Sequence, residues 1–217
     1  KRNIKIVEDA SESLGTFYKK NYFNKRHTGT IGDFGCISFN GNKIITSGGG
    51  GAILTNNKKF AVKAAYLIDQ AKDNSFNFIH NNIGFNFKLT NIQAALGLAQ
   101  LEKIKIFLSK KKKIHNYYKK KLNNSKYYKV IDGPIHSNNN YWLNILRLKN
   151  VSKTKFLKYM NKKNIYCRPI WKLNHLQKPY RNFQIYDISN SKNLHKKFIC
   201  LPSSTSLNKK ELNYIVK

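Results

Sequence analysis

The sequence predicts an α/β fold in two parts, and three observations carry that reading. Short apolar runs with strand character alternate with helical spacing over residues 1–122. The composition then shifts to Asn, Ser, Tyr, Gly133 and Pro134 across 123–140, which reads as a linker or domain transition. A strand, a helix, a strand, an extended tail and a last helix follow, the pattern of a small α+β domain over 123–217. At 217 residues the chain is long enough to bury a substantial core, and its 41% hydrophobic content fits a folded protein.

The elements follow in order. Ile4 to Glu8 alternates apolar and polar residues and predicts a buried strand ending at Asp9. Residues 10–16 predict a helical turn closed by Gly15, and 17–32 a loop or weak hairpin. Phe34–Phe39 and Ala52–Thr55 predict strands on either side of the Gly48–Gly51 run. Lys58–Ala71 has helical spacing, whereas 72–89 reads as a long ordered loop. A strong helix starts at a Thr90 or Asn91 cap, with Gln93 near the capping-box position, and is expected to run to about Leu122. Tyr141–Leu148 and Ile165–Pro169 predict strands, Ser152–Lys163 a helix, and a final helix begins near Asn208. No internal repeat is evident.

Charge and cysteines bound the function. The net charge is +31, which suits a nucleic-acid or anionic-surface binder. Lysine outnumbers arginine 36 to 5 and the charge is spread along the chain, as AT-rich coding would produce. We therefore expect no nucleic-acid partner, and a basic surface that draws in anionic substrates. The runs Lys110–Lys113 and Lys119–Lys121 read as a solvated helix face rather than a phosphate patch. Cys36, Cys167 and Cys200 show neither metal-ligand spacing nor a disulfide framework, which predicts no metal and a reducing cytoplasm. No apolar run approaches the roughly 18–20 residues of a membrane span. The first residues lack the apolar core of a leader peptide.

Lys43 is the candidate catalytic residue. It follows Ser38-Phe39-Asn40-Gly41-Asn42, precedes the Gly48–Gly51 run, and lies 34 residues after Asp9 at a predicted strand end. An amine that can form a Schiff base, a hydroxyl for a phosphate, a glycine turn and a strand-end carboxylate together point to pyridoxal phosphate. In a chain with 36 lysines a lysine near glycines also arises by chance; the order of the other groups favours this one without singling it out.

Five segments resemble the DegT/DnrJ/EryC1/StrS family of sugar-nucleotide aminotransferases. They are Val7–Gly15, Gly29–Phe34, Ser38–Lys43 with Gly48–Gly51, Ile83–Ala95, and Cys167–Trp171 with His175 and Pro179. The Arg-Pro-x-Trp run and the glycine-rich turn look most like the LegC-like subgroup acting on UDP-linked 4-keto amino sugars. The resemblance implies the fold-type-I pyridoxal phosphate architecture: here the C-terminal part of the large domain with its long connecting helix over 1–122, and the small domain over 123–217. Family chains are longer, so a fragment is expected. By position it implies Lys43 as Schiff-base lysine and general acid/base. Asp9 would pair with the pyridinium nitrogen, Glu12 would face the phenolic oxygen, where many members carry Gln, and Ser38 would bind the phosphate. Asn86 would reach the cofactor of a partner subunit in a homodimer, and Arg168 and Trp171 would contact the nucleotide sugar. Lys88 stands where Arg is usual.

The implied reaction is transamination of a nucleotide-linked 4-keto sugar to a 4-amino sugar with glutamate as donor, in cell-surface glycan synthesis. Three alternatives stay open on the sequence: a dehydratase of the same fold, which would carry His in place of Lys43; a basic nucleic-acid-binding module; and an inactive fragment.

Overall fold

The computed structural model describes residue 2 and residues 4–217. Lys1 and Asn3, part of the stretch read as lacking a leader, lie outside the described residues. The first elements are β1 (Val7–Asp9), β2 (Phe17–Tyr18), β3 (Phe34–Ser38), β4 (Gly51–Leu54) and α1 (Lys58–Ile68). Next come α2 (Asn91–Glu102), α3 (Ile104–Leu122), β5 (Tyr128–Val130), β6 (Ser137–Asn138) and β7 (Asn144–Leu148). The last are α4 (Lys153–Lys162), β8 (Arg168–Pro169), α5 (Ser189–Lys197), β9 (Phe198–Leu201) and α6 (Lys209–Val216).

The chain forms two compact units. One comprises Lys1–Ser109 with Gly133–Trp142, the other Lys110–Asp132 with Leu143–Lys217. The division falls inside α3, whereas the sequence reading placed the transition after Leu122.

In the first unit three strands pair in the order β1-β3-β4. β1 runs parallel to β3 in the register Val7↔Phe34, Glu8↔Gly35, Asp9↔Cys36. β4 pairs antiparallel, with Ser38 opposite Gly51, so the glycine run closes the turn next to the end of β3. Gly48 and Gly50 hold φ of +82° and +78°, a region that other residues adopt only under strain. β2 and β6 make a two-stranded ribbon. α1 is capped by Asn57, and α2 by a full Thr90–Gln93 capping box.

Several expectations are corrected here. The first strand is three residues long and not buried: Val7 is 62% exposed, because only β3 flanks it among the described residues. α1 stops at Ile68, since Gln70 and Ala71 take positive φ. The long helix breaks at Lys103, which caps α2 by donating its N–H to Gln100 and Leu101 before α3 begins. The expected linker contains β5 and β6. Tyr141 holds φ of +51°, so the next strand starts only at Asn144.

The second unit is a four-stranded sheet in the order β5-β7-β9-β8, with antiparallel pairing throughout. Its core joins Ile114 and Tyr118 of α3 to Val130, Leu146, Leu148, Ile199, Leu201 and Leu212. Each such fully buried aliphatic side chain contributes about 1.5–3 kcal/mol. β9 and α5 have no counterpart in the sequence reading, although β9 is a central strand. Its four residues look like an ordinary tail until β7 and β8 flank them. Ser152 caps α4, and Asn208 with Glu211 forms a capping box on α6.

Lys111 departs from the solvated-face reading of its run. With Ile114, His115 and Tyr118 it forms the buried stripe of α3, and its amine donates to the Ser203 carbonyl at 2.5 Å. Beside it, His115 lies 2.9 Å from both Asn144 Oδ1 and Asp132 Oδ1. Lys119 pairs with the other Asp132 oxygen at 2.6 Å.

Burial pushes the Lys111 amine down from 10.5 to about 8. Below pH 8 the ammonium is charged in both folded and unfolded chains, and its burial cost is fully present. Between about 8 and 10.5 the unfolded chain binds more protons, so stability rises with pH. Lys111→Met is expected to remove that rise, measured as the difference in urea unfolding free energy between the two proteins across this pH range. An unchanged slope would assign it to other groups.

Candidate functional site: a lysine between a carboxylate and an indole face

β1 presents two carboxylates to opposite sides, as strand alternation requires. Glu8 turns toward residues 29–32 and accepts three backbone N–H groups: Gly29 at 2.8 Å, Ile31 at 2.6 Å and Gly32 at 2.6 Å. Burial acts to raise its pKa. The bonds from Gly32, Gly29 and Ile31, with the Arg26 charge, outweigh that and leave it below the ordinary 4.5. The same turn is locked sterically: a Cβ on Gly35 would come within 1.9 Å of the Gly29 carbonyl oxygen.

Asp9 is held by its own turn. Its Oδ1 accepts the Ser11 N–H at 3.1 Å. Hydrogen bonding by Ser11, with a smaller pull from the Lys43 charge, keeps the carboxyl below its ordinary range despite opposing desolvation. Asp9 therefore stays anionic at neutral pH and can pair with a protonated ring nitrogen. Ser38, at the end of β3, accepts the Asn40 N–H on its hydroxyl.

The Lys43 side chain is only 13% exposed. Its amine sits 3.7 Å from Glu12 Oε1 and 4.2 Å from the centre of the Trp142 ring. The ion pair is loose and Glu12 is 53% exposed, so it contributes about 0–1 kcal/mol. The ring contact, with Trp142 at 7% exposure, is worth about 0.5–2 kcal/mol.

The structure thus brings Asp9, Glu12 and Lys43 into one electrostatic neighbourhood, with Ser38 at the end of the strand beside Asp9's strand. Asn86 lies elsewhere in the same unit, exposed and bridged to Asp69 after the long loop. Lys88 donates to Asp69 at 2.9 Å. Arg168 and Trp171 belong to the second unit: Arg168 sits in β8 opposite Cys200, and Trp171 is 59% exposed. A cavity of about 700 Å³ lies against β3, β4 and α1, and of the candidate residues Ser38 stands on its wall. Its Ala- and Ile-rich lining is that of a packing surface.

Two residues at the lysine escaped the sequence reading. Asn140 and Trp142 fell in the segments read as linker and strand. The dense polar–aromatic run Asn138-Asn139-Asn140-Tyr141-Trp142 was the available signal, but nothing local connects it with a lysine 99 positions earlier.

The donor set fits pyridoxal phosphate: an anionic carboxylate for a ring N–H, an amine for an aldehyde, and a hydroxyl near a glycine turn for a phosphate. Glu8 holds this frame without belonging to the donor set. Glu8→Gln replaces one accepting oxygen by an NH₂ that faces an N–H. A loss of about 1–3 kcal/mol is expected in urea unfolding at neutral pH. Glu8 contributes fully above pH 4.5, and its contribution disappears as pH falls through the lowered folded value. The gap between the two proteins should therefore close in acid. A gap that persists there would refute the carboxylate's role.

The family model described as the DegT/DnrJ/EryC1/StrS aminotransferase family matches residues 1–217. EpsN of Bacillus subtilis, whose name marks it as a candidate pyridoxal phosphate-dependent aminotransferase, is 34% identical over 99% of this chain and 55% of its own length. A GDP-perosamine synthase of Escherichia coli O157:H7 is 34% identical over 99% of this chain and 57% of its own. The aminotransferase TlmJ from Streptoalloteichus hindustanus superposes with a TM-score of 0.89 at 19% identity, covering 99% of this chain and 57% of that one. The chain spans just over half the length of the curated relatives it matches. The expected architecture, part of the fold-type-I large domain followed by a small α+β domain, is the one these structures share. The chain belongs to the DegT/DnrJ/EryC1/StrS aminotransferase family.

Proposed function

We propose that the protein containing this chain transfers an amino group from glutamate to C4 of a nucleotide-linked 4-keto sugar, in glycan biosynthesis. The observation that carries the reading is Lys43 itself: a mostly enclosed amine beside a carboxylate, in a segment that resembles the family's Schiff-base segment. Relatives named as GDP-perosamine synthase and as dTDP-4-amino-4,6-dideoxy-D-glucose transaminase support a sugar-nucleotide substrate. The run Arg168-Pro169-Ile170-Trp171 favours the UDP-linked subgroup. Three free cysteines suit the cytoplasm.

Pyridoxal phosphate, when bound, would supply a conjugated ring that accepts the negative charge developing on the substrate carbon bearing the amino group. Asp9 would hold the proton on the ring nitrogen. Ser38, with amides of the glycine turn, would hold the phosphate, and Glu12 would lie at the phenolic oxygen. Lys43 would hold the aldehyde carbon. Its amine, once free, would take the proton from Cα of the donor and return one to C4 of the sugar. Arg168 and Trp171 would bind the nucleotide sugar, each with an exposed side chain suited to that task. Asn86 would serve the cofactor of a second copy. The exposed position of Asn86 and the apolar surface of α2, with Ile92 84% and Leu98 59% exposed, support such a homodimer.

The test is incubation of the full protein with pyridoxal phosphate and borohydride, followed by peptide mapping. A reduced adduct is expected on Lys43. Lys43→Ala should lose it, and should lower 2-oxoglutarate release with a UDP-linked 4-keto sugar by at least about 10³-fold. Wild-type turnover in the variant would end the assignment. A product deaminated or dehydrated at the sugar would instead favour the dehydratase reading.

A further inference from the structure

Three pieces of the first unit meet at Lys43. The turn at 10–16 brings Glu12, the loop at 40–43 brings the lysine, and the segment at 138–142 brings Trp142. Asn140 joins them. It is 4% exposed, and its carboxamide donates to the carbonyls of Glu12 at 2.9 Å and Leu14 at 3.0 Å. Its Oδ1 accepts the Trp142 N–H at 2.9 Å, and its own N–H donates to Thr16 Oγ1 at 3.2 Å. Between them Tyr141 takes the left-handed conformation, φ +51°, which turns the chain so that the indole returns to the lysine loop. The indole N–H then donates to the Asn42 carbonyl at 2.5 Å. One residue further on, the lysine amine lies over the same ring.

We infer that Trp142 is a positioning residue for Lys43, holding the free amine against its ring face and Glu12, with Asn140 setting the position of both. The inference rests on the proposed role of Lys43. A lysine has four rotatable bonds and loses much freedom when fixed. An amine that must leave a carbon and then move protons at a defined atom needs a resting place close by. An aromatic face attracts the ammonium without a directional hydrogen bond, so the amine can leave it without stranding a buried partner.

The test compares wild type, Trp142→Phe and Trp142→Leu in the full protein. The readout is the rate at which pyridoxal phosphate and borohydride label Lys43, with the exposed Lys20 and Lys197 as internal controls. Trp142→Leu should label Lys43 about fivefold more slowly, the size expected for a lost ring contact. Trp142→Phe should stay within about twofold of wild type, and the control lysines should not change. A merely structural role would slow Phe and Leu alike, which overturns the inference, as would a Leu variant labelled at the wild-type rate. No label on Lys43 in wild type would instead remove the proposed function, and this inference with it. A second measurement leaves Trp142 untouched. In Trp171→Phe the indole of Trp142 is the remaining tryptophan of this chain, which has two. Adding Lys43→Met should shift its emission, and adding Lys43→Arg should largely preserve it. Equal spectra for all three proteins would overturn the contact.

Discussion

The first unit depends on one acceptor. Glu8 gathers the amides of Gly29, Ile31 and Gly32 onto a single carboxylate. That bond set holds the turn preceding β3 against β1 and fixes their parallel register. Gly35 reinforces it, since its backbone lies against Gly29 with no room for a side chain. Once the register is set, Asp9 falls opposite Cys36. Ser38 then ends the neighbouring strand and Lys43 follows on its loop. The candidate site groups are placed by a carboxylate that lies outside the candidate set. Adjacent acidic residues on one strand thus divide the work: Glu8 on one face builds the frame, and Asp9 on the other is presented by it.

How much of this was legible follows from the distance over which each feature is determined. Asp9, Ser38, Lys43 and the glycine turn lie within the first 51 residues, and their order suggested a site that the family resemblance then strengthened. Caps are equally local, and Thr90–Gln93 and Asn208 were readable. Strand β9 was not, because four residues carry no periodicity and become a strand only through β7 and β8. The break at Lys103 was hidden for the opposite reason: apolar spacing continues through it. Asn140 and Trp142 reach Lys43 from a hundred residues away, through a backbone reversal at Tyr141 that no propensity indicates. Lys111 was misread because three of its neighbours in the lysine run do face solvent. The register of α3 decides which lysine does not.

The two units are built unequally. The second closes a core of its own around Leu146, Ile199 and Tyr118. In the first, neither α1 nor α2 buries a residue, and Ile6, Val7, Ile92, Leu98 and Ile106 are all more than half exposed. Large exposed apolar patches commonly mark interaction surfaces, and the chain spans just over half the length of the curated relatives it matches. Within that unit much of the burial lies beside the candidate side chains. Ala10, Ile37, Ile44, Ile45, Ser47 and Trp142 are all buried beside the loops that carry Asp9, Ser38 and Lys43.

In so lysine-rich a chain, residue type alone singles out no lysine, but the surroundings of Lys111 and Lys43 differ. The Lys111 amine is tied to the Ser203 carbonyl at 2.5 Å within a network that includes His115 and Asn144. Moving it would strand a buried carbonyl, so its environment fixes it, at the electrostatic cost that brings its pKa to about 8. Lys43 is nearly as enclosed, yet its ion-pair and ring partners are a half-exposed carboxylate that water can solvate and a ring face that needs no donor. Neither is left unsatisfied when the amine departs. The difference between an anchored amine and a movable one lies in what the partner loses when the lysine leaves. By that criterion, among the contacts described for these two side chains, only those of Lys43 permit movement.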